Sequence, residues 1–147
     1  MIDDLDKKII RIMNRNARKS FREIAKEVGT SASVVIHAVK KMESLGAIKG
    51  YIPDIDAGHF GFDLMAIIAL RISQGKLLET QKKIALLPQV AGVYDVTGEW
   101  DSLVIAYFKG REDLNGFLKR LNAMRFIGRT VTHVVLNVVK DERRVFV

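Results

Sequence analysis

Between Ser31 and Ser44 the chain carries a run of residues suited to reading nucleic acid. With Val39 set at the centre of a buried helix face and about 100° advanced per residue, Ala32, Val35, Ile36 and Met42 share its side. Ser33, Val34, His37, Lys41 and Ser44 fall opposite, with Ala38 and Lys40 on the flanks. That outer face offers cations for phosphate, hydroxyl and imidazole groups for base edges, and a methyl-bearing side chain for thymine. No acid lies among them to repel a polyanion. Ser31, Ser33, Val34, His37, Lys40 and Lys41 are therefore the candidate DNA-contacting residues. A second candidate is the turn formed by Gly98, Glu99, Trp100 and Asp101, where Gly supplies turn geometry and Asp a capping carboxylate. Thr130 and Thr132, two apart in a strand-like run, share one face of it.

Other chemistries find little support. The sequence has no cysteine, which excludes disulfides and thiolate metal sites. Its histidines, His37, His59 and His133, lie in three separate segments with no second ligand at metal spacing. No Gly-rich loop with a lysine is present to cradle phosphates. No catalytic residue, metal or cofactor is expected. Absence of a bilayer-length apolar run, and an N-terminus opening with Asp3, Asp4 and Asp6, point to the cytoplasm. The net charge of +7 is uneven: residues 1–52 hold 11 Lys/Arg against 6 Asp/Glu, or +5, whereas residues 53–147 hold 13 against 11, or +2. A basic N-terminal domain with a recognition-type helix takes nucleic acid as its natural partner.

The elements that position these residues follow from periodicity. Leu5, Ile9, Ile12 and Met13 mark a first helix, acidic at its start and basic at its end. Ser20 with Glu23 forms a capping-box pair for a second helix with Phe21, Ile24, Ala25 and Val28 as its stripe. Gly29 stops it and Ser31 caps the third helix, so the pair reads as a helix-turn-helix. Residues 47–52 read as a short strand, and 53–62 as a linker with Pro53 and turn residues. Then come a strand at 64–72, a helix at 77–87, strands at 90–97 and 102–108, a helix at 112–124 and a long strand at 129–140. This doubled strand–helix–strand pattern makes a ferredoxin-like βαββαβ sandwich. The strands are apolar in runs rather than in alternation, so both sheet faces need cover, and a dimer packed through the sheet is expected.

In order and spacing, these motifs resemble the Lrp/AsnC (feast/famine) family of prokaryotic transcription regulators. The resemblance rests on Leu5-Asp6, Arg22-Glu23-Ile24-Ala25, Ser31, the run from Val39 to Glu43 and that from Gly46 to Tyr51. It continues through Asp56, Phe60 and Gly61, then Thr97-Gly98-Glu99-Trp100-Asp101, and finally Arg129-Thr130-Val131-Thr132. The resemblance implies an α+β chain: a three-helix winged helix-turn-helix DNA-binding domain at 1–52, a hinge at 53–62, and a ferredoxin-like ligand-sensing and oligomerisation domain (RAM domain) at 63–147. It further implies double-stranded DNA as partner, homodimers that assemble further, often to octamers, and a small amino-acid effector that changes assembly or DNA affinity. On that reading Asp101 accepts from the effector's ammonium group and open N–H groups around Gly98 bind its carboxylate. Thr130 and Thr132 line the pocket, and Glu99 and Trp100 complete or cover it. The chain departs from the family pattern at His37 and Ala38, where arginines are usual, which implies an altered target preference. Two alternatives share the layout. One is a tetrapyrrole (sirohaem-type) decarboxylase using His133 or His59 with Arg71 or Arg129; the other is an architectural DNA-binding protein that senses nothing.

Overall fold

The computed structural model describes residues 1–147, which divide into two compact units, Met1–Asp54 with Lys140–Val147, and Ile55–Val139. The first unit holds α1 (Asp4–Arg15), α2 (Phe21–Val28) and α3 (Ala32–Ser44). Each helix is started by a side chain: Asp3, Ser20 and Ser31 accept from Asp6, Glu23 and Val34 N–H respectively. Gly29 ends α2 in the left-handed conformation, φ 74°, which only glycine adopts without strain. The three apolar stripes meet in one core of Ile9, Ile12, Ile24, Val35, Val39 and Met42 with smaller neighbours.

The strand expected over residues 47–52 does not form. Past Ser44 the chain folds back on the end of α3, and both Ala47 and Ile48 N–H donate to Met42 O, at 2.9 and 3.1 Å. Gly46 at φ +69° makes that reversal possible. With these N–H groups committed and no strand alongside, the segment is irregular and the domain has no wing strand. Lys140–Val147, read from the sequence as the end of the second domain, lies against α1. Asn14 Nδ2 donates to Val145 O at 3.1 Å, Arg144 Nη1 to Asn14 O at 3.1 Å and Arg11 Nε to Val147 O at 2.5 Å.

The second unit opens with a 3-10 turn (Ala57–Phe60), then β1 (Leu64–Ile72), α4 (Leu77–Ala85), β2 (Val90–Asp95), β3 (Ser102–Phe108), α5 (Arg111–Asn122) and β4 (Ile127–Val134). The strands form one antiparallel sheet in the order β2-β3-β1-β4. On one face Ile68, Leu70, Val104 and Phe108 pack against Ile84 of α4 and Phe117 and Leu121 of α5. Phe108 and Phe117 meet edge to face, centroids 5.1 Å apart. The register puts Met65, Ile67, Ala69, Leu103, Ile105, Tyr107 and Val131 on the opposite face. β4 stops at Val134 rather than running to residue 140. Val135 N–H makes the last bond, 2.9 Å to Met65 O, and only Leu64 of β1 lies beyond it.

Candidate nucleic-acid interface and effector site

The core fixes which side of α3 faces out. Val35, Ala38, Val39 and Met42 are buried, and Ser33, Val34, His37 and Lys40 are exposed. Val34, 40% exposed, is an apolar side chain held on an otherwise polar face. Ser31 caps the helix through its hydroxyl, 3.4 Å from Val34 N, and that hydroxyl also lies 3.0 Å from Ser33 Oγ. The α2 entrance is set by reciprocal bonds, Glu23 N–H to Ser20 Oγ at 3.2 Å and Ser20 N–H to Glu23 Oε2 at 2.7 Å. The Ser20 backbone N–H holds the Glu23 carboxyl below its ordinary pKa. Arg22, Lys26 and Lys40 are exposed.

Two expectations on α3 change. Ala38 is a core residue rather than a flank. Lys41 is not a free cation: its Nζ lies 2.6 Å from Asp6 Oδ2, on the first turn of α1, and 3.0 Å from Oδ2 of Asp3, the N-cap of that helix. These bonds, that to Asp6 foremost, raise the Lys41 pKa. Asp6, expected only as part of an acidic helix start and of the Leu5-Asp6 motif, is wholly buried. The spacing Asp3-x-x-Asp6, a capping box in aspartates, is the local signal for that placement.

The turn at 98–101 joins β2 to β3, with Gly98 at φ +104°. Glu99 Oε1 lies 3.4 Å from Arg129 Nη1, and the Arg129 guanidinium sits 5.0 Å from the centroid of Trp100. A shallow open depression here is lined by Asp95, Val96, Thr97, Glu99, Trp100 and Leu103. The sequence gives Asp95 and Leu103 no expected role, and it gives Arg129 one only in the decarboxylase alternative. Arg129 shares the strand parity of Val131 rather than of Thr130, and that parity is the signal that sets it on this side of the sheet.

The remaining expected residues do not gather there. Asp101 turns inward to β1: its Oδ2 accepts from Ile72 N–H at 2.8 Å, its own N–H donates to Leu70 O at 2.9 Å, and Arg71 Nη1 lies 3.8 Å from Oδ1. Thr130 and Thr132 do share a face, but they pair with Leu70 and Ile68, the side the helices cover. Thr130 Oγ1 lies 3.2 Å from Asn122 Oδ1 of α5. Of the six residues expected in the effector site, Glu99 and Trp100 line the depression. Of the histidines, His37 is on α3, His59 sits in the 3-10 turn 3.1 Å from Asp56, and His133 pairs with Ile67 across β4 and β1. No helix is long and apolar enough to cross a membrane.

Comparison with known proteins covers nearly the whole chain. Residues 2–43 match the AsnC-type helix-turn-helix domain, and residues 65–145 the Lrp/AsnC ligand binding domain. An uncharacterized HTH-type transcriptional regulator of Pyrococcus abyssi is 43% identical over 144 residues, 98% of each chain. An HTH-type transcriptional regulator of Methanocaldococcus jannaschii is 38% identical over 142 residues, 96% of each. Among solved structures, AsnC of E. coli superposes with a TM-score of 0.88 at 25% identity over 97% of each chain. A transcriptional regulator from Neisseria meningitidis, solved in complex with L-Met, has the same fold, TM-score 0.86 at 23% identity over 97% of this chain and 95% of that one.

Proposed function

The chain belongs to the Lrp/AsnC family of transcription regulators, and from that premise we propose that it reads double-stranded DNA with Ser33, Val34, His37 and Lys40 of α3. Ser31 acts there as the cap that sets the helix start. The observation that carries this reading is the composition of the exposed α3 surface: one hydroxyl, one imidazole, one apolar contact and one unpaired cation, presented by a helix whose other side is core. Lys40 contacts phosphate. His37 donates to a base acceptor where a guanidinium is usual in the family, so the preferred site differs from that of arginine-bearing relatives.

The second unit takes a small amino-acid-like effector at the turn that holds Gly98, Glu99 and Trp100, with Arg129 beside them. The relative solved with L-Met supports an amino acid as the class. Arg129 supplies a forked donor for a carboxylate and Glu99 or Asp95 an acceptor for an ammonium group. Asp101 supports the turn rather than meeting the ligand. The protein acts in the cytoplasm by binding, not by catalysis. Its half-exposed apolar sheet face is covered by a second copy, and dimers assemble further, to octamers on the family pattern.

The test is fluorescence anisotropy with the region upstream of the protein's own gene and a scrambled duplex, over a salt series, with and without an amino-acid pool. Tighter binding to the upstream duplex, shifted by the pool, is expected. Lys40→Met should lower the log–log salt slope by about 0.9 per protomer engaged. Binding to neither duplex at low salt overturns the reading.

A further inference from the structure

Lys41 raises a question that the DNA-binding face leaves open. It shares a helical stripe with Val34, His37 and Ser44, spaced at three and four residues, yet its ammonium is turned away to α1. There it meets Asp6, which is fully buried at the first turn of α1. Asp6 Oδ2 accepts from Lys41 Nζ at 2.6 Å and from Asp3 N–H at 2.8 Å, and Asp3 Oδ2 takes a second bond from Lys41 at 3.0 Å. Asp6 Oδ1 is buried with no partner at all.

That is an expensive arrangement for stability alone. Lys41 keeps partial access to solvent, but the Asp6 carboxylate is fully buried, and its desolvation together with an orphan oxygen offsets much of what the pair contributes. What an ion pair has and an apolar contact lacks is direction. The rest of the α1–α3 contact is aliphatic: Ile9, Ile12 and Met13 against Val35, Ala38, Val39 and Met42. Such a contact tolerates small rotations of one helix on the other. A rotation of 20° about the α3 axis moves a side chain at the helix surface by roughly 2 Å, taking a radius of about 5–6 Å. That displacement is enough to break a hydrogen bond to a base edge. A bidentate clasp at Lys41, four residues from His37, does not permit it without losing both bonds.

We infer that Asp6, Asp3 and Lys41 form a positioning lock that fixes the rotation of α3 about its axis, so that Lys41 and Asp6 govern sequence discrimination without touching DNA. The inference rests on the proposed DNA-reading role of α3. It assigns Lys41 a role opposite to that of its neighbour Lys40: one cation is held by carboxylates of its own domain, the other faces outward.

The experiment uses the full chain and a duplex selected from random sequence by the wild-type protein, with a scrambled duplex as competitor, over a salt series. Lys40→Met should weaken both duplexes alike and lower both salt slopes by about 0.9. Lys41→Met and Asp6→Asn should leave the scrambled-duplex slope unchanged and cut the affinity ratio of selected to scrambled duplex at least tenfold. Asp6→Asn is diagnostic in sign, since removing a negative charge would by electrostatics alone tighten binding to any DNA. Lys41→Arg, which keeps a charged donor, should recover most of the ratio. The double variant Asp6→Leu with Lys41→Met guards against simple unfolding: an apolar pair should restore the melting temperature while the ratio stays low. If Lys41→Met lowers the slope as Lys40→Met does, Lys41 is a phosphate contact and the lock is wrong. If the stable double variant discriminates as well as wild type, the pair is structural only and the inference fails. Failure of the wild-type protein to select any duplex overturns the DNA-reading role itself, a different result from either.

Discussion

Replacing Asp101 separates its two possible duties. The carboxylate accepts from Ile72 N–H at 2.8 Å while the backbone N–H of the same residue donates to Leu70 O at 2.9 Å, so Asp101 clasps β1 on both sides of Arg71. This is where the pairing of β1 with β4 shifts register, between Leu70 and Ile72, and where the sheet itself leaves backbone groups short of partners. Asp101→Ala removes a charge-assisted bond and leaves the N–H of Ile72, a residue only 8% exposed, without an acceptor. The bond and the orphaned donor are two views of one loss, so together they cost about 2 kcal/mol. The Arg71 contact at 3.8 Å, between partly exposed side chains, adds at most a few tenths of that order, about 0.3 kcal/mol. Asp101→Asn keeps an amide oxygen in the same place and exchanges a charged bond for a neutral one, at about half the cost. For a domain the size of Ile55–Val139, about 2 kcal/mol lowers the midpoint by about 10 °C, and the Asn variant by about 5 °C.

Calorimetry resolves the two units' transitions, and hydrogen exchange reads the Ile72 amide directly. Wild type and Asn should protect it; Ala should not. Effector affinity measured on the Asn variant then reports on ligand contact, because the turn is still held. Loss of binding in Ala alone is loss of the turn. An Ala variant within about 0.5 kcal/mol of wild type with Ile72 still protected refutes the clasp.

Two further perturbations address the units separately. Phe117→Ala opens a cavity under the sheet beside Phe108 and should destabilise the second unit by about 4 kcal/mol, read as an early transition in guanidinium with the first unit's transition unmoved. Ser20→Ala removes the α2 cap and should cost the first unit about 1 kcal/mol. The same unit should also weaken in acid. The Asp3 carboxyl is held below its ordinary value of 3.8 by the Asp6 N–H first and then by Lys41, and Glu23 below 4.5 by Ser20. A depressed carboxyl stabilises the fold above its unfolded pKa and stops doing so as pH falls through the folded one, so thermal midpoints should be level above about pH 5 and fall below about pH 4. Asp3→Asn with Glu23→Gln should flatten that fall; an unchanged profile would contradict the assignment.

What the sequence made legible is what depends on one segment at a time. The caps at Ser20 and Ser31, the stop at Gly29 and the bounds of β1 and β3 are set by residues within a turn or two of each other, and periodicity reads them directly. The α+β plan followed because the two strand–helix–strand units admit few topologies. The misses depend on what lies alongside. Residues 47–52 alternate weakly like a strand, but a strand needs a neighbour, and Met42 O takes the N–H groups of Ala47 and Ile48 instead. β4 ends two residues short of the start of β1, a fact of register that β4's own valines do not carry.

The site residues fail or succeed by the same logic. Alternation puts Thr130 and Thr132 on one face but does not say which face the helices cover; the pairing with Leu70 and Ile68 decides it, and it moves the threonines away from the turn and brings Arg129 toward it. Likewise a helical wheel assigns Lys41 an angle, and that angle is right: it stands on the stripe of Val34 and His37. The wheel has no term for reach. A lysine stem spans far enough to leave its own face and follow the nearest buried charge, and Asp6, far away in sequence, is that charge. Charge counted by segment therefore overstates the surface offered to DNA. Lys41 is held by Asp3 and Asp6, and Lys19 and Arg15 by Glu27, whereas Arg22, Lys26 and Lys40 pair with no acid. Those three, with Lys8, Arg18 and Lys49, which also pair with no acid, are cations whose loss a salt series can register, rather than the whole basic excess of the first unit.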